Sequence, residues 1–229
     1  MKPFVIDENY FDIEYNKLLT EINIFDFSKV NILVSRFDQI GSNVPSAINS
    51  IHDTCEYFCN SFVCLKYAHK NLPYTNNLEK NYYWVFYYHN ITLHFLHTIH
   101  DLIYILIREL THSYEVKLEL GFKRELVDKL KASDNETFKK LGNILNKNSP
   151  IRTVKYRDEY THNITPYRLN SHPEKDEHEI AFFKANKPMI NDIEKAIKDI
   201  ESDLKKLQKR LSILKQHLLS YNIYTIQNY

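Results

Sequence analysis

Residues 78–117, LEKNYYWVFYYHNITLHFLHTIHDLIYILIRELTHSYEVK, decide the fold class. The stretch holds neither Gly nor Pro, so nothing in it interrupts a helix. Apolar side chains recur nearly all round its middle, which predicts a buried central helix and not an amphipathic surface one. Its tyrosines and histidines carry polar tips that suit the rim of a bundle.

The next clearest signal lies at the C-terminal end. Ile190, Ile193, Ile197, Ile200, Leu204, Leu207, Leu211, Leu214 and Leu218 alternate steps of three and four. This heptad seam predicts a second long helix that packs along one narrow line, within the chain or across a dimer. The single-domain bundle favours packing within the chain. Lys205, Lys206, Lys209, Arg210 and Lys215 then read as a solvated face, with a phosphate track as the alternative.

Working outward, Ile48, Ile51, Cys55, Phe58, Cys59, Phe62 and Leu65 mark a helix over about 45–70. A helix or helix pair covers about 122–146, with a weak point at 132–135. In residues 1–42, FDIEYNKLLTEI reads as helix, while KPFVI and VNILVSRF have the look of short strands. The whole predicts an all-α chain: a helical bundle of four to five core helices, two of them long, with a small N-terminal element. Residues 1–42 form that extension or subelement, and 43–229 form the bundle domain.

Composition narrows the class. Hydrophobic residues make up 43% of the chain, too many for disorder, and the net charge of +1 supplies no global field for nucleic acid. Any RNA contact must therefore come from a local patch. Cys55, Cys59 and Cys64 fall in one predicted helix, a reduced cytoplasmic pattern and not a disulfide framework. No signal-peptide core and no apolar run long enough for a membrane span is present, so no membrane partner is expected.

The chemistry concentrates in YRDEYTHN, residues 156–163. Ser149 and Pro150 place a helix start just ahead of it, as N-cap and first-turn residues, and Pro166 a stop behind. Arg157 and His162 are a minimal kit for cleaving a phosphodiester. The guanidinium holds the phosphate and opposes its growing charge, while the imidazole moves a proton near neutral pH. Asp158, four residues before His162, lies on the same face to orient the ring, and Thr161 adds a hydrogen bond. Arg157 and His162 point about 140° apart on one helix, so a second copy of the helix is the natural way to complete the site.

This Arg-x4-His pattern, with a polar residue directly after the Arg in an all-helical chain, resembles the HEPN superfamily. The resemblance implies a metal-independent endoribonuclease of a toxin–antitoxin or phage-defence system. It implies a catalytic site shared between two protomers and an antitoxin or inhibitor protein as partner. In that scheme His162 shuttles the proton for attack by the ribose 2′-OH and Arg157 holds the phosphate, with no metal or cofactor. In one branch of the family a Tyr follows two residues after the His. Here that position is Ile164, so regulation through such a tyrosine is not expected.

Other polar groups are candidate sites. Arg108 and His112 share a helix face as candidate substrate-binding groups, or as an ordinary polar stripe where the long helix leaves the core. His89, His94, His97 and His100 drift around their helix, which suits satisfied core or rim histidines better than a metal centre. The alternative to an enzyme is a non-catalytic helical module that binds RNA, a nucleotide or another protein.

Overall fold

Helix α3 (Leu78–Leu110) is the element around which the bundle is built. The computed structural model describes residues 5–22, 30–32, 43–71, 78–147, 152–157, 193–220 and 224–226. Within α3, Leu93, Leu96, Ile99, Ile103, Leu106 and Ile107 are all fully buried, as the unbroken apolar run predicts. The helix stops earlier than 117. His112 takes a left-handed φ of 50°. The amides of His112 and Ser113 turn back to the carbonyls of Glu109 and Arg108. This is a Schellman stop with His in the place usually held by Gly.

Helix α2 (Val44–Asn71) packs along α3. Asn43 meets Glu109, Tyr57 meets Phe95, and Cys64 meets Tyr88. Contacts that climb one helix while descending the other make the pair antiparallel. All seven apolar positions expected for this helix, Ile48 to Leu65, are buried. The three thiols are core groups, and burial pushes Cys55 up to about 12 and Cys64 up to about 11.

Helix α1 (Glu8–Ile22) lies against α2 and brings Ile22 into the core, with Tyr15, Leu18 and Leu19 against it. It is therefore a layer of the bundle. Strand β1 (Val30–Ile32) pairs antiparallel with β2 (Tyr224–Ile226), which joins the N-terminal region to the chain's far end.

Helices α4 (Phe122–Ala132) and α5 (Glu136–Lys147) form a hairpin broken at the expected place. Asn135 caps α5, its Oδ1 accepting from the amides of Thr137 and Phe138. Gly142 allows the close crossing, since a Cβ there would stand 3.0 Å from Leu130 Cβ.

Helix α6 (Ile193–Ser220) packs within the chain against α1 and α3. The seam from Ile193 to Leu214 is buried; Ile190 lies outside the described residues. Three helices, α2, α3 and α6, thus run to 28 residues or more, where two were expected. No described helix is long and apolar enough to cross a membrane.

The narrow seam expected of α6 needs correction. Asp199, Asp203 and Arg210 are also buried, with Arg210 only 1% exposed. Each stands one residue before a seam position: 199 before 200, 203 before 204, 210 before 211. A second, polar stripe therefore runs beside the apolar one, turned by about 100°. Arg210 belongs to that stripe and not to a solvated face.

Candidate active site

The buried polar stripe of α6 faces the histidine-bearing side of α3, and the start of the Arg157 motif lies between them. Residues 152–153 form a bend, and 154–157 are a turn of helix. The turn thus begins later than Ser149-Pro150 predicts. Thr153 takes the N-cap position, its carbonyl accepting from the amides of Tyr156 (3.1 Å) and Arg157 (3.2 Å).

Asp203 caps this turn from outside. Its Oδ2 accepts from the Arg152 amide at 3.1 Å, the Thr153 amide at 2.9 Å and the Thr153 hydroxyl at 2.9 Å. Its Oδ1 accepts from Lys206 Nζ at 2.8 Å. Amides at a helix start carry partial positive charge, so a carboxylate there is favourable. Burial alone would raise the Asp203 pKa. The hydrogen bonds from Lys206 and Thr153 outweigh it and hold the carboxyl below its usual range.

The chain of bonds continues into α3. Thr153 Oγ1 lies 3.0 Å from His97 Nε2. The hydroxyl has one proton, which goes to the carboxylate, so His97 Nε2–H must be the donor to Thr153. His97 is neutral: burial, and then the nearby Arg157 charge, push it down to about 4. The motif arginine and His97 therefore share one electrostatic neighbourhood.

The same turn is held at two further points. Tyr156 donates its hydroxyl to Asp199 Oδ2 at 3.1 Å and packs edge-on against His89, ring centroids 5.5 Å apart. Arg152 and Lys155 reach Asp199 at 3.8 and 3.7 Å. Residues 152–156 are thus gripped by α6 on one side and α3 on the other.

One step along the stripe, Arg210 donates to His100 Nδ1 at 2.9 Å, to the Tyr104 hydroxyl at 3.3 Å and to the Leu145 carbonyl. Leu145 lies in the last turn of α5, where carbonyls lack intrahelical partners, so Arg210 caps α5 from outside. Because a guanidinium only donates, His100 must accept at Nδ1 and carry its proton on Nε2. Burial, followed by Arg210, keeps its pKa well below the ordinary value. His89, His97 and His100 are core histidines, as expected, their rings turned toward Tyr156, Thr153 and Arg210.

Of the motif itself, Arg157 is described: it is half-buried and directly follows the clamped turn. Asp158, Thr161 and His162 lie outside the described residues. Arg108 and His112 stand away from Arg157, since Arg108 is about 16 Å along α3 from His97. Its guanidinium binds the carbonyls of Val116 (2.7 Å) and Tyr114 (3.1 Å) and the Glu109 carboxylate (2.8 Å). It holds the loop after α3 in place. His112 makes the helix stop and is exposed, its ring edge-on to Tyr114.

Asp199, Asp203, Arg210, Thr153 and His97 form an arrangement that motif spacing alone missed. The charges at 199, 203, 206 and 210 repeat the four-three-four step of the apolar seam one residue earlier. That repeat is a readable signal, because solvated charges have no reason to keep phase with a core.

Comparison with known proteins bears on the family. The family model described as Cthe2314-like HEPN matches residues 35–219, from before α2 to the end of α6. No curated protein and no solved structure matches significantly.

Proposed function

The chain belongs to the Cthe2314-like HEPN family, and from that premise we propose that it is a metal-independent endoribonuclease. The observation that carries the reading is the placement of Arg157. The Arg of an Arg-x4-His motif directly follows a turn that α3 and α6 hold from both sides. The backbone from which that guanidinium extends is fixed in this way, which suits a group meant to meet the phosphate of a transition state, where preorganised charge counts most.

In the proposed reaction His162 takes the proton of a ribose 2′-OH as the oxygen attacks the adjacent phosphorus. Arg157 opposes the charge building on the phosphate oxygens, and Asp158 orients the His162 ring. The P–O5′ bond breaks and the departing O5′ takes up the proton that His162 has gained, leaving a 2′,3′-cyclic phosphate and a free 5′-hydroxyl. The site is completed across a homodimer, which reconciles the diverging directions of Arg157 and His162. A cytoplasmic setting and a dedicated inhibitor protein suit an enzyme that attacks RNA.

The test is cleavage of mixed RNA by purified protein in EDTA. His162→Ala should lose roughly 10²–10⁴-fold for the missing proton transfer. Arg157→Ala should lose on the order of 10²–10³-fold for the missing charge stabilisation. Cleavage that persists unchanged in His162→Ala would refute the assignment. Cleavage abolished by EDTA would refute the metal-free chemistry.

A further inference from the structure

We propose that Thr153 and Asp203 are positioning residues for Arg157, a role that rests on the nuclease reading above. The first turn of a helix is weakly held by its own bonds. Its nucleation is unfavourable, and among the described residues the bonds that close it are the two amide bonds to the Thr153 carbonyl. Its geometry must be supplied from outside.

Thr153 joins both helices to the turn. Thr153 is fully buried and makes three bonds with partners on different helices: two to Asp203 on α6 and one to His97 on α3. Asp203 is likewise fully buried on a helix whose next position belongs to an apolar seam. A carboxylate is costly there unless it is used. Three of its hydrogen bonds go to residues 152 and 153, where they fix the first amides of the turn that carries Arg157.

The Thr153 hydroxyl is the joint of this clamp, since it is a donor toward α6 and an acceptor from α3. With valine in its place the side-chain shape persists, but the link between the two helices is lost. Arg157 then keeps its charge and loses its fixed direction. A displacement of about 1 Å in a reacting constellation can lower a rate by about 10²-fold.

The experiment is single-turnover RNA cleavage at saturating protein by wild type, Thr153→Val, Thr153→Ser and Asp203→Asn. Thr153→Val should slow cleavage by about 10- to 100-fold. Thr153→Ser, which keeps the hydroxyl, should recover the wild-type rate within about threefold. RNA affinity, read by anisotropy with His162→Ala in every protein to prevent cleavage, should change by less than about threefold, because the cationic groups remain. Asp203→Asn keeps an acceptor for the amides and should fall between wild type and Thr153→Val, which serves if the valine protein does not fold.

Leu126→Ala, a core truncation in α4, is the control for loss of stability and should cleave as wild type below its melting point. Three results would overturn the proposal: undiminished cleavage by Thr153→Val and Asp203→Asn, an equal loss in Leu126→Ala, or no recovery in Thr153→Ser. Wild-type protein that cleaves no RNA would instead remove the nuclease reading, and this assignment with it.

Discussion

Lowering the pH from 7 to 5 should destabilise the fold through its buried histidines, by an amount that one substitution can isolate. Burial pushes His89 down to about 4, and burial together with the Arg157 charge pushes His97 to about 4. An unfolded histidine titrates near 6.5. The folded value lies below the unfolded one, so the unfolded chain binds more protons between them. The stabilisation is full above about pH 6.5 and is lost as the pH falls toward about 4. Each histidine therefore removes on the order of 2 kcal/mol between pH 7 and pH 5, a large share of the ~5–15 kcal/mol of an ordinary domain. His100 acts in the same direction. Asp203, whose carboxyl is held below its usual range, enters only at lower pH. Urea unfolding at pH 7 and pH 5 should be run on wild type and His89→Phe, which keeps a ring against Tyr156. The pH-dependent loss should be smaller in the variant by on the order of 2 kcal/mol. Equal losses in the two proteins would refute the neutral, buried state assigned to His89.

Other outcomes follow from the packing. Leu204→Ala and Leu211→Ala should each cost about 2–5 kcal/mol in chemical denaturation, while Lys205→Ala, on the exposed side of α6, should stay within about 0.5 kcal/mol. His112→Gly should stabilise the protein by about 0.5–1 kcal/mol in the same assay, because Gly adopts the left-handed stop of α3 without a Cβ clash. Cys55, Cys59 and Cys64 should not react with a thiol reagent at pH 8 until denaturant is added, since all three are buried and their thiols are pushed upward.

Much of the architecture was readable because helices advertise their buried faces through spacing. The seven apolar positions of α2, the break between α4 and α5 and the seam of α6 all follow the 3.6-residue period. The end of α3 was not readable, because the stop depends on a left-handed His112, and histidine carries no general signal for that conformation. The loop contacts of Arg108 were not readable, because its partners there are backbone carbonyls, which have no residue identity in a sequence. The family was legible. The supports of the Arg157 turn were not, because Asp203 and Thr153 meet only after α6 returns to the core. Charge read along a single helix says nothing of what that helix will face.

The polar stripe of α6 makes that helix a ruler. Asp203 fastens the turn that begins at Thr153, and Arg210 fastens the end of α5 at Leu145. One extra residue between them would rotate the far half of α6 by about 100° and lengthen it by about 1.5 Å. Arg210 would swing away from Leu145 while Asp203 kept its hold on Thr153. The short segment between α5 and the motif turn would then be anchored at one end alone. Loops elsewhere can change length without this consequence. The interval from Asp203 to Arg210 cannot, for its residue count sets the distance between two fixed points of the site.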